Sequence, residues 1–196
     1  MTRGFFNEHA EHWDERVAEK DASKLEQMAG RLKIKHGDRI LDVGTGTGVL
    51  LSYLLKKVGN SGGVIALDHA DKMLSKAKAK DFKGQIDFLC ADVMAIPFKN
   101  DVFDAVVCYS SLPHFPDKTA AILEIKRVLK KGGRFFVCHT VGREHINQIH
   151  RRISSVENDL LPDAIEMTTL LSKAVFTEIQ VEDKADNYLA SACKAG

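Results

Sequence analysis

Three acidic residues and one glycine-dense turn carry the first hint of chemistry. The stretch "ILDVGTGTGVLLSYLL" (40–55) sets Gly44, Gly46 and Gly48 at alternate positions, directly after an apolar run that contains Asp42. Glycines bare the backbone and tolerate positive φ, so a ligand can approach such a turn closely. The dinucleotide fingerprint is G-x-G-x-x-G, whereas the spacing here is G-x-G-x-G. Asp68 closes the next apolar run and is placed to accept hydrogen bonds from both hydroxyls of a ribose, which suits a nicotinamide or an adenosyl cofactor equally. Asp92 closes the run after that and separates the two, because it can accept a bond from an adenine's exocyclic amine. Each residue alone also has an ordinary structural account. Gly46 and Gly48 permit tight helix–strand packing, and Asp68 and Asp92 are of the type that caps a following turn. Their joint placement at successive strand ends favours a ligand site.

The elements that must hold these residues follow from apolar periodicity. Strands are expected at 38–44, 62–68, 85–92, 103–110 and 134–141. Helices are expected at 48–59, at 71–80 with Asp71 as N-cap, and at 117–133, closed by Gly132 and Gly133. Alternation of this kind means a parallel sheet with right-handed crossovers, helices on both faces, and ligands beyond the carboxyl ends of the strands. The tail departs from it: a helix at 163–175 precedes two strands within 176–194 joined by a polar turn, which must run antiparallel. Two helices, 5–17 and 23–34, precede the first strand. A single domain over 1–196 is expected, with helices in 1–37 and the core in 38–196.

The bulk composition narrows the partners. A net charge of +1 with interspersed signs leaves no electrostatic footprint for nucleic acid or an anionic membrane. No apolar run approaches membrane-spanning length and the N-terminus lacks a signal core, so a cytoplasmic protein without stable membrane insertion is expected. Cys90, Cys108, Cys138 and Cys193 form no C-x-x-C pair, as expected of reduced thiols.

Four segments in register resemble the class I S-adenosylmethionine-dependent methyltransferases, especially the small-molecule branch that includes the ubiquinone/menaquinone methyltransferases. "LDVGTGTG", "ALDHADKML" and "ADVMAIPF" are similar to the family's first three motifs, and "FDAVVCYSSLPHFPDKTAAILEIKRVLKKGGRFFV" to its fourth-to-sixth motif stretch. The resemblance implies an α/β, Rossmann-like, doubly wound seven-stranded sheet of order 3-2-1-4-5-7-6 with strand 7 antiparallel. It implies S-adenosyl-L-methionine as cofactor. Backbone of Gly44, Thr45 and Gly46 would underlie the methionyl part, with Asp42 at the base of the turn and Gly48 at its end. Asp68 would take the ribose, His69 and Met73 would flank the adenine, and Asp92 with Ala91 and Val93 would read its edge. Cys108 and Ser110 would sit beside the methionyl group, facing a small-molecule methyl acceptor. The segment "FFNEHAEHWDERV" resembles the family's lid helix, with Phe5, Phe6 and Trp13 as apolar cover or as a staple to the body.

Methyl transfer from a sulfonium is an in-line displacement that mainly needs positioning in a dry pocket. A base is required only if the acceptor must lose a proton. His114, in the loop beyond Ser110, is the candidate for that catalytic role, the alternative being a residue that packs over the cofactor. The stretch "YSSLPHF" lacks the Asn/Asp-Pro-Pro-aromatic motif of adenine and glutamine-amide methylation. His139, His145 and His150 cluster past the fifth strand. The spacing of five between His145 and His150 does not put both on one helix face, so a solvated helix is expected there. Cys108 and Cys138 should end adjacent strands, where small buried hydrophobes are favoured over a soft-acceptor site. No metal site is expected. Two other functions remain open: a non-catalytic S-adenosylmethionine-binding module, and a nicotinamide-dependent oxidoreductase.

Overall fold

The computed structural model describes residues 2–16 and 21–196. Strands β1 (Arg39–Val43), β2 (Gly63–Asp68), β3 (Ile86–Cys90), β4 (Phe103–Tyr109), β5 (Leu129–His139), β6 (Phe176–Asp183) and β7 (Tyr188–Lys194) form one sheet, in the order β3-β2-β1-β4-β5-β7-β6. Pairing is parallel from β3 through to β5, and β7 runs antiparallel to both β5 and β6. The central strands are continuous aliphatic runs because helices cover both faces. Alternation along β1 shows the consequence: Leu41 and Val43 enter one core and Ile40 the other. Strand order reverses between β1 and β4, which opens a crevice at their carboxyl ends.

The helices are α1 (Thr2–His9), α2 (Trp13–Arg16), α3 (Ala22–Arg31), α4 (Leu51–Val58), α5 (Asp71–Lys78), α6 (Lys118–Val128), α7 (Arg143–His150) and α8 (Ala164–Lys173). Asp21 caps α3 through the Ser23 and Lys24 amides. Asp163 and Glu166 cap α8 reciprocally, which fixes where the tail helix leaves the sheet. The sheet and the reversed last strand are those expected. Several boundaries are not.

The helix expected at 48–59 begins at Leu51, since the glycine turn extends through Leu50. Asp71 is not the N-cap of α5. Ala70 holds that position without a side-chain cap, and the Asp71 carboxylate instead accepts from Arg3 at 2.8 Å and Asn7 at 2.9 Å. The helix expected to run to Gly133 stops at Val128. Leu129 is buried opposite Phe103, and Lys130 donates to the Asp104 carboxylate at 2.7 Å, so the chain is already strand there. Gly133 serves close packing within that strand, where a Cβ would meet the Lys130 carbonyl at 2.8 Å. The expected 5–17 helix is two, α1 and α2, joined by a 3-10 turn at Ala10–His12, and Val17 lies outside the described residues. Among the described residues no helix is long and apolar enough to cross a membrane.

Candidate active site

The glycine turn is held from three sides. Leu67, near the end of β2, accepts the Gly44 and Thr45 amides at 2.8 and 3.0 Å. Asp68, buried at the end of β2, accepts the Gly46 amide at 2.7 Å on one oxygen and the Ala70 amide at 2.8 Å on the other. Ser111 donates to the Val43 carbonyl at 2.7 Å and lies so near that a Cβ on Gly44 would stand 2.4 Å from its own Cβ. Gly44 therefore admits no side chain. Gly46, with φ of 55°, has nothing within 4 Å of where its Cβ would point. That open side faces a cavity of about 510 Å³.

Burial raises the Asp68 carboxyl above its ordinary value, against the pull of the Ala70 and Gly46 amides and of His69 beside it. Asp42 is more extreme. Burial pushes it up to about 7, opposed by the neighbouring Thr45 hydroxyl and reinforced by the charge of Asp68. Asp42 Oδ1 and Thr45 Oγ1 are buried beside one another with no further hydrogen-bond partner, the kind of pair a polar ligand group would satisfy.

The cavity is lined by Gly44, Thr45, Gly46, Asp68, His69, Met73, Ala91, Asp92, Val93 and Ser110 among the residues expected from sequence. Asp42, Gly48 and Cys108 do not line it. Gly48 packs against Leu51 and Phe82, where a Cβ would approach to 2.8 and 3.0 Å, so it serves the helix–strand contact. Cys108 is fully buried, and burial pushes its thiol up; Cys138 is equally buried. Both behave as small hydrophobes. Asp92 accepts the Met94 amide at 2.8 Å, so it caps the turn after β3 as well as facing the cavity. Ser110 adopts φ of 52°, an uncommon backbone state for a residue with a side chain, and its amide donates to Cys138 at 3.0 Å.

Opposite this floor stands a histidine-rich, apolar roof. His114 ends a 3-10 turn (Leu112–His114), lines the cavity and pairs through Nδ1 with Asp159 at 2.9 Å. Its ring lies 4.8 Å from that of His150. His139, His145 and His150 all line the same cavity, as do Ile146 and Ile149, so α7 borders the cavity while Glu144, His145, Gln148 and Ile149 remain solvent-exposed as expected of a solvated helix. Among the described residues no group of three or more ligand-type side chains is arranged to hold a metal ion. Ile146, Ile149, Ile153 and Val156 escaped the sequence reading although their near-helical spacing could have marked them. Asp159 carried no such signal.

The N-terminal helices close the third side. Phe5, Phe6, His9 and Trp13 line the cavity, with Phe6 edge-on to Trp13 and to His114 at 5.3 and 4.9 Å between ring centroids. Asp14 accepts from the Thr47 hydroxyl at 2.5 Å and pairs with Lys80 at 2.9 Å, which ties α2 to the glycine turn.

Comparison with known proteins assigns this architecture. Residues 41–137 match the family model described as Methyltransferase domain. The chain is 30% identical over 195 residues to the O-methyltransferase cnsE of Penicillium expansum, covering 95% of this chain and 70% of that protein. It is 30% identical over 159 residues to the ubiquinone/menaquinone biosynthesis C-methyltransferase UbiE of Teredinibacter turnerae, covering 79% of this chain and 58% of that protein. The chain spans about half the length of several curated relatives it matches. A crystal structure of a SAM dependent methyltransferase from Aquifex aeolicus shares the fold, with a TM-score of 0.72 at 23% identity over 90% of this chain and 95% of that one. These likenesses set aside the nicotinamide reading, since the family's cofactor is S-adenosylmethionine. The chain belongs to the class I S-adenosylmethionine-dependent methyltransferases.

Proposed function

We propose that this chain transfers a methyl group from S-adenosylmethionine to a small acceptor with a largely apolar body. One observation carries the reading: the glycine turn with its acidic partners and the apolar roof of Ile146, Ile149, Ile153 and Val156 line one cavity. The polar floor suits the cofactor. Asp68 takes the ribose hydroxyls, His69 and Met73 flank the adenine, and Asp92 with the Ala91 and Val93 backbone meets its edge. Gly44, Thr45 and Gly46 lie under the methionyl part, near Ser110, with the buried Asp42 beneath the turn. Gly48 and Cys108 act from behind, by packing.

The cofactor supplies a methyl group on a sulfonium, already an excellent leaving group. The chain's own work is to hold the acceptor in line and to keep water out. Helices α1 and α2 act as the lid, with Phe5, Phe6 and Trp13 as its apolar underside; the rest of the expected 1–37 lid does not, since Leu25, Met28 and Leu32 of the α3 region are buried in the core with α4. His114 is the acceptor-side base, within reach of whatever occupies the space beneath α7.

Calorimetry against S-adenosylmethionine and NAD, followed by incubation with a methyl-labelled donor and a metabolite library, tests the proposal. The expected result is binding of the first cofactor alone and label recovered in a small organic product. Binding without transfer to any compound would mean a cofactor-binding module instead.

A further inference from the structure

The base assigned above has a partner that the reaction chemistry needs. Resting on that reading, we propose that Asp159 is the positioning residue of His114, and that the acceptor is a hydroxyl compound, a phenol or enol, methylated on oxygen. Asp159 engages two imidazoles at once. Its carboxylate meets His114 Nδ1 at 2.9 Å, and its backbone carbonyl meets His150 Nδ1. A carbonyl only accepts, so His150 carries its proton on Nδ1. An ionised carboxylate only accepts, so neutral His114 does the same. Each ring therefore keeps an unprotonated Nε2, and both rings line the cavity.

This arrangement suits removal of a proton from an O–H. As the acceptor oxygen's electron pair forms the new C–O bond, its proton moves to His114 Nε2. The C–S bond breaks with its pair left on sulfur, giving a neutral thioether. The imidazolium so formed keeps its Nδ1–H on the Asp159 carboxylate, which stabilises the positive charge, as in any base–orienter pair. The groups around His114 fit that role. Burial pushes His150 below its ordinary value, so the neighbouring ring stays neutral. Lys118, which donates to the Pro113 carbonyl at 2.9 Å, is lowered by burial and raised in part by the charge of Asp159. Phe6 packs edge-on against the ring. Asp159 itself is 27% exposed in its side chain against 12% for His114, so the base is the more buried of the pair.

The test reads tautomers first. Protein labelled with nitrogen-15 at histidine, with the demethylated cofactor bound, is examined by long-range proton–nitrogen NMR at alkaline pH. In the wild type His114 and His150 should both appear as Nδ1–H tautomers. In Asp159→Ala, His114 should change to the Nε2–H form while His150 stays, because the backbone carbonyl remains; Asp159→Asn serves if the alanine variant fails to fold. Turnover with catechol and 2-naphthol as probe acceptors should fall by about 10²-fold in the variant, with cofactor affinity unchanged and partial rescue by Asp159→Glu. A wild-type His114 in the Nε2–H form, or a tautomer indifferent to Asp159, overturns the positioning role. Correct tautomers with no methylation of either probe overturn the hydroxyl acceptor instead, and label recovered on carbon does the same.

Discussion

Asp68 accepts the Gly46 amide at 2.7 Å, so the residue that ends β2 also fastens the middle of the glycine turn after β1. Under the proposed function the same carboxylate meets the ribose, which joins ligand contact and turn geometry in one side chain.

Asp68→Ala should weaken S-adenosylmethionine binding by one to two orders of magnitude, through lost charge-assisted bonds and a loosened turn. Asp68→Asn divides the two. Its amide nitrogen cannot accept, so one of the Gly46 and Ala70 amides loses its partner while the side chain's shape remains. Calorimetric affinities of both variants, with melting temperatures, check this. Wild-type affinity in the alanine variant removes Asp68 from the site.

The glycines should respond differently from one another. Gly44→Ala sets a Cβ 2.4 Å from Ser111 Cβ and should lower the melting temperature substantially. Gly46→Val meets open space and should leave the protein folded, apart from strain at a φ of 55° on the order of 1 kcal/mol. Its branched side chain then fills the ligand's path, so cofactor binding should vanish. Thermal melts paired with binding isotherms distinguish these cases, and normal binding by Gly46→Val would place the ligand elsewhere.

Much of this is legible in the sequence. Buried strands write themselves as aliphatic runs, and a turn that must bare its backbone writes itself as glycine. Hence the strands, Gly44, Gly46 and Asp68 could be read from local pattern, whereas the strand order followed from the resemblance to the methyltransferase family. The start of β5 could not, because "LKKGG" has the look of a helix end, and only the pairing of Leu129 with Phe103 makes it strand. Asp159 stayed hidden for a related reason. It lies 45 residues beyond His114, and what joins the two is the path of the chain after α7.

His114→Gln should reduce turnover by roughly 10²-fold or more, the scale of general acid–base catalysis, with cofactor affinity nearly unchanged. Glutamine preserves bulk against Phe6 but cannot take up a proton at neutral pH. If affinity and turnover fall together, His114 packs the roof over the cofactor and does no more. Steady-state kinetics beside calorimetry decide it.

Closure should depend on the tie between Asp14, Lys80 and Thr47. Lys80 reaches the Thr47 carbonyl at 2.7 Å and the Asp14 carboxylate at 2.9 Å, so it clamps lid and turn together. Lys80→Ala should speed cofactor release by several-fold to about tenfold, and added salt should narrow the difference, since the pair is part-exposed. Stopped-flow displacement of a fluorescent cofactor analogue measures this. Equal release rates would mean that the lid is held by the packing of Phe6, Trp13 and Met73 and by the bonds of Arg3 and Asn7 to Asp71 instead.

Asp42 makes the last prediction, about pH. Its carboxyl titrates near 7 in the folded chain against an ordinary value of 3.8, because burial penalises the charged form. The folded state therefore holds a proton that the unfolded chain releases, and stability declines wherever that difference exists. The contribution is fully present below about pH 4 and is lost as pH rises to about 7, where the buried carboxylate ionises. Asp42→Asn removes the titration and should gain on the wild type by up to about 4 kcal/mol across that window, most of it by neutral pH. Relief of the neighbouring Asp68 adds in the same direction. Urea unfolding of both proteins at mildly acidic and mildly alkaline pH gives the comparison as a double difference, in which groups titrating alike in both proteins cancel. A gap between the two proteins that does not widen with pH would show that Asp42 is ionised throughout, held by a polar partner at the base of the glycine turn.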